Sequence, residues 1–107
     1  MNTDISNPEK QNVQELLNYQ NGSIVSSVVL KKPTGNITIF AFDEGEGLSE
    51  HTTPFDAMVY IIEGTAEITI SSKINTLSEG EMILLPANQT HALKAITKYK
   101  MMLVMLK

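Results

Sequence analysis

Residues 45–64 read GEGLSEHTTPFDAMVYIIEG. Gly45, Glu46 and Gly47 open the run as a turn. His51 and Pro54 follow, and the stretch from Met58 to Glu63 is a short apolar run closed by Gly64. Such a run bounded by turn residues reads as a β-strand entered through a polar bend that carries one histidine.

The same texture extends outward in both directions. SIVSSVVL, NITIFAF, MVYIIEG, TAEITIS, EMILLP, HALKAI and YKMMLVML are strand-type runs. Turn chemistry separates them at Pro33-Thr34-Gly35, Glu44-Gly45-Glu46-Gly47, Ser71-Ser72-Lys73, Ser78-Glu79-Gly80 and Pro86-Ala87-Asn88. Turn signals about eight to twelve residues apart, with no helical stretch between strands, predict an all-β sandwich or barrel rather than βαβ units. In TAEITIS, Ala66, Ile68 and Ile70 alternate with Thr65, Glu67 and Thr69, so that strand has one wet face. NITIFAF sets Ile37, Ile39 and Ala41 against Phe40 and Phe42, and YKMMLVML is likewise apolar on both sides. Two doubly apolar strands in a small domain predict packed sheets with their outer faces covered in part, or a partner subunit; a homodimer is the expectation.

Residues 1–22 are polar and read as an N-terminal extension to a domain over 23–107. Ser6, Asn7 and Pro8 offer a helix start, with Val13, Leu16 and Leu17 at helical spacing, and an edge strand over Val13–Leu17 fits equally well.

With 107 residues there is room for one domain and one site. An apolar fraction of 42% and a charged fraction of 19% argue for a folded chain. No run approaches the roughly 18 apolar residues of a membrane span, and the start MNTDISNPEK lacks the regions of a signal peptide, so a cytoplasmic protein without a membrane partner is expected. The absence of cysteine removes disulfides, thiolate metal sites and thiol nucleophiles. A net charge of −4 with lysine as the only basic side chain argues against nucleic acid and against a clamped phosphate or dicarboxylate. A neutral or weakly charged small molecule fits better.

His51 and His91 are the chain's two histidines, each beside a proline-bearing turn near the start of an apolar strand. Imidazoles from different strands can converge inside a barrel, yet a histidine at a barrel mouth also serves simply as a polar rim. DEGEG at 43–47 lacks the alternating oxygen ligands of a calcium loop and reads as a solvated turn. Neither a Gly-x-Ser-x-Gly setting nor a phosphate loop is present. The six methionines, including Met58, Met82, Met101, Met102 and Met105, read as packing or interface residues.

The run Gly45–Gly64 resembles the first cupin motif, which has Gly, five residues, His, one residue, His, three or four residues, Glu, six residues and Gly. The second motif has Gly, five residues, Pro, one residue, Gly, two residues and His, and here it finds Gly80, Pro86, Asn88 and His91. Asn88 stands for a glycine at a position that calls for a left-handed turn, which asparagine tolerates. The resemblance covers about residues 23–107 and implies a double-stranded β-helix, the cupin jelly-roll barrel of two packed antiparallel sheets. LSEHTTPFDA and PANQTHALKA are similar to short, single-domain bacterial and archaeal cupins of mostly unassigned role.

Metal-binding cupins draw three histidines and a glutamate from these motifs. His51 matches the first histidine and His91 the last, while Thr53 replaces the second and Ala57 replaces the glutamate. Asp56 would complete a two-His-one-carboxylate set for zinc, nickel, iron or manganese if a bulge at Pro54-Phe55 shifted the strand's alternation by one residue; Glu50 meets the same parity problem without a proline. Without charged ligands, Thr53, Ala57, Val59 and Ile61 share the face that carries His51, and with His91 they form a mostly apolar pocket. The leading expectation is a small cupin barrel that binds a small, mostly uncharged molecule, as a sensor or binding module. The alternative is a metal-dependent isomerase or dioxygenase using His51 and His91, and a third reading gives the histidines a structural role only.

Overall fold

The computed structural model describes residues 8–107. Nine strands follow one another: β1 (Ile24–Lys32), β2 (Gly35–Phe42), β3 (Gly47–His51), β4 (Asp56–Glu63), β5 (Thr65–Ile70), β6 (Lys73–Ser78), β7 (Met82–Leu85), β8 (His91–Ala95) and β9 (Tyr99–Leu106). They form two antiparallel sheets, a five-stranded one ordered β1-β2-β9-β4-β7 and a four-stranded one ordered β3-β8-β5-β6. This is the double-stranded β-helix arrangement, in which β9 threads between β2 and β4 while β8 threads between β3 and β5.

Alternation along each strand decides what is buried. On the five-stranded sheet Phe40, Phe42, Ala57, Val59, Ile61, Tyr99, Met101 and Leu103 turn inward and meet Ala66, Ile68, Leu93 and Ala95 of the other sheet. Tyr99 and Phe42 stack with ring centroids 4.6 Å apart, and both are fully buried. Each such side chain contributes about 1.5–3 kcal/mol relative to leaving it in water. The two faces read in NITIFAF and TAEITIS are both present in the structure.

β3 and β6, which lie outside the seven apolar runs, are the edge strands of the smaller sheet. β3 is exposed at all five residues and β6 buries only Leu77, so neither needs a full apolar face. Gly64 closes β4 with φ +82°, and a Cβ there would overlap the Lys98 carbonyl, so the glycine is sterically required.

In the N-terminal region Asn12 caps a single 3-10 turn, Val13–Glu15, by accepting from the Gln14 amide. The helix start read at Ser6 and Asn7 lies outside the described residues. Further along, the Tyr19 hydroxyl donates to Glu63 (2.7 Å) and Lys100 Nζ donates to the Gln14 carbonyl (2.5 Å), tying this segment to the outer face of the five-stranded sheet.

Candidate functional site

The two histidines come together across the β3–β8 pair. Gly47 and Leu48 of β3 pair with Lys94 and Leu93 of β8, but His51 then pairs with His91, so β3 holds one extra residue between Leu48 and His51. Unbroken alternation would send Leu48 and Glu50 to one face and His51 to the other. The bulge inverts that parity, and Leu48 and His51 line the same cavity while Glu50 stays exposed.

Between the sheets lies a cavity of about 120 Å³. His51, Thr53 and His91 are its polar lining, and Phe40, Ala57, Val59, Leu85 and Leu93 are among its apolar walls. The imidazoles meet edge to face, with ring centroids 4.2 Å apart and planes at 71°. Nδ1 of His51 lies 2.8 Å from the Ser49 carbonyl, and Nδ1 of His91 lies 3.4 Å from the Gln89 carbonyl. A carbonyl only accepts, so the neutral rings hold their protons on Nδ1 and keep a lone pair on Nε2.

His51 is exposed at the mouth, whereas His91 is 5% exposed. Burial, and secondarily the nearby His51 charge, hold the His91 pKa below its usual 6.5 against the opposing pull of the Gln89 carbonyl. His91 therefore stays neutral at pH 7.

The turn leading to His91 depends on Asn88, whose φ is +66°, the left-handed conformation read from its place in the motif. Its amide donates to the Thr53 carbonyl (2.8 Å), joining the two motif loops at the cavity mouth.

Of the predicted pocket residues, His51, Thr53, Ala57, Val59 and His91 line the cavity. Ile61 does not; it lies deeper along the same inward face of β4, fully buried in the core. Asp56 is also displaced from its expected place. The chain bends at Pro54-Phe55, but regular pleating resumes with Asp56 exposed and Ala57 buried, and the Asp56 carboxylate accepts from the Ala87 amide (2.9 Å). The parity change that matters falls one strand earlier, in β3, where it turns in a histidine rather than a carboxylate. Among the described residues no group of three His, Cys, Asp or Glu is placed to hold a metal ion. The donors present thus do not fit the three-histidine, one-glutamate set that the family resemblance implies. Met101, Met105 and Leu103 of β9 also line the cavity; they share one parity in YKMMLVML, but a run that is apolar on both sides does not show in the sequence which side faces inward.

Architecture and site together define a small cupin. The cupin domain family matches residues 38–107, and the chain belongs to it. It is similar to the conserved SPY1581 protein of unknown function from Streptococcus pyogenes, with 32% identity over 99% of this chain and 92% of that one and a TM-score of 0.90. A cupin 2 conserved barrel domain protein from Leptotrichia buccalis is 36% identical over 91% of this chain, with a TM-score of 0.87. This chain spans 47% of that protein's length. A cupin superfamily protein from Desulfitobacterium hafniense, 24% identical over 92% of this chain and 93% of that one, shares the fold with a TM-score of 0.86. No curated protein matches the sequence. Among the described residues no helix is long and apolar enough to cross a membrane.

Proposed function

We propose that this cupin binds a small, mostly uncharged organic molecule in the cavity between its sheets, as a sensor or binding module. The observation that carries the reading is the edge-to-face pair of His51 and His91 at the mouth of an otherwise apolar cavity. Both Nδ1 atoms face backbone carbonyls, leaving two Nε2 acceptors for a ligand that donates hydrogen bonds. Apolar walls reward burial of its carbon skeleton, and the lack of a cationic side chain on the lining disfavours an anion. A cavity of about 120 Å³ is close in size to the ~150 Å³ known to hold benzene, so the ligand should have about five to eight non-hydrogen atoms.

The test is thermal unfolding of the full chain with a panel of small alcohols, phenols, amides and carboxylates. A neutral hydrogen-bond donor should raise the wild-type midpoint, and His91→Ala should lose that shift. If no compound stabilises either protein, or only carboxylates do, the proposal fails. The metal-dependent isomerase or dioxygenase alternative requires donors beyond His51 and His91, because Asp56 is engaged at the Ala87 turn. Metal analysis after purification without chelator addresses it, and one tightly held zinc, nickel, iron or manganese per chain would favour that alternative.

A further inference from the structure

Thr53 brings to the cavity a kind of group that the two imidazoles lack. Its hydroxyl oxygen accepts from the Phe55 amide (3.4 Å), and among the described residues its hydroxyl proton meets no acceptor. A hydroxyl donates while it accepts, so that proton is available to the cavity that Thr53 lines. The backbone carrying it is held in place, because the Thr53 carbonyl accepts from the Asn88 amide (2.8 Å). His51 and His91, with Nδ1 at the Ser49 and Gln89 carbonyls, offer acceptors at Nε2. The lining therefore presents two neutral acceptors and one neutral donor, and its other side chains end in carbon or thioether sulfur.

We propose that the ligand is a primary carboxamide on a short hydrocarbon tail and that Thr53 is the residue that selects it, an inference that rests on the neutral-ligand binding proposed above. A primary amide carries two N–H donors on one nitrogen and a carbonyl acceptor beside them, the inverse of this lining. Its nitrogen donates to both imidazoles, and its oxygen accepts from Thr53.

Competing groups each leave a polar atom unpaired in an apolar enclosure. An alcohol has one proton to give, so one Nε2 lone pair is left without a partner. A ketone satisfies Thr53 and neither imidazole. A carboxylate lacks a donor and sets its charge against two lone pairs, with no cation on the lining. An ammonium leaves the Thr53 proton unmet and buries a charge where the lining has no carboxylate. Unpaired groups of this kind are what let a polar site reject a near-isostere.

Four probes of matching size separate these cases: isobutyramide, its isosteres isobutyrate and 3-methylbutan-2-one, and pyrrole, which has an N–H donor and no oxygen acceptor. Titration calorimetry of the full chain at about pH 8 should show isobutyramide binding at least ~10-fold more tightly than any of the other three. Thr53→Val keeps the side chain's shape and removes its hydroxyl. It should weaken isobutyramide about tenfold while pyrrole, whose affinity reports an intact cavity, changes less than about twofold. Thr53→Ser returns the hydroxyl and should recover most of the loss. Pyrrole binding with isobutyramide no tighter overturns the amide assignment and leaves the neutral-donor reading standing. No binding by either overturns both. A Thr53→Val variant that weakens the two probes equally, or neither, removes Thr53 as the selecting residue.

Discussion

His91 connects the stability of the chain to the chemistry of its cavity. Its folded pKa lies below the usual 6.5, chiefly through burial, so the unfolded chain binds the proton more readily than the folded one. Where the unfolded state holds more protons, stability rises with pH. The contribution of neutral His91 is therefore complete above about pH 6.5 and is lost as pH falls through the folded value. Urea unfolding of wild type between about pH 7.5 and 5 should show stability falling on acidification, and His91→Gln should have a shallower slope across that window. Equal slopes would mean that the burial of the imidazole carries no protonation cost. Thermal shifts by a ligand that uses the His91 Nε2 acceptor should fade over the same interval.

At the scale of elements, the β5–β6 hairpin turns on Ser71 and Ser72, with Ile70 paired directly to Lys73. Both serines have positive φ, +47° and +70°, a requirement of the two-residue turn that best follows strand twist. A side chain in this region costs about 1–2 kcal/mol, partly offset on changing to glycine by the greater freedom of the unfolded chain. Ser72→Gly should therefore stabilise by about 0.5–1 kcal/mol and raise the melting midpoint by a few degrees. An unchanged or lower midpoint in a calorimetric scan would count against the turn geometry. Ser71 is the less suitable site, because its hydroxyl donates to the Gln89 side chain, two residues before His91, and glycine would lose that bond.

The legibility of these elements follows their exposure. β2, β5 and β9 must bury one or both faces, so they are plain in the sequence, TAEITIS by its alternation and NITIFAF and YKMMLVML as runs apolar on both sides. β3 and β6 are edge strands with little to bury, and GLSEH and KINTLS carry no comparable pattern. Motif spacing located His51, Thr53, Ala57 and His91 on a common lining, whereas the side of β4 taken by Asp56 depended on local backbone geometry. The bulge before His51 inserts one residue without a proline or glycine to announce it, so parity arguments from sequence had no sign to read there.

Over the whole molecule, scaffold and ligand set have separated. The sheets, the Gly64 turn and the left-handed Asn88 turn keep the family's architecture, while the positions that would supply two of four metal donors carry Thr53 and Ala57. Both side chains still line the cavity with His51 and His91, so the empty donor positions face the right space. Thr53→His combined with Ala57→Glu should therefore restore divalent-metal binding without rebuilding the fold. Ala57 is 6% exposed, and a carboxylate there has no cationic partner in the lining, so the metal-free double variant should melt well below wild type. Nickel or zinc would neutralise that carboxylate, and metal at about 1,000 times its dissociation constant should return roughly 4 kcal/mol of stability. Thermal unfolding with and without metal checks the outcome in both proteins. A double variant that folds but gains no more from metal than wild type would show that the edge-to-face histidine pair holds its Nε2 atoms in a geometry that excludes a shared ion.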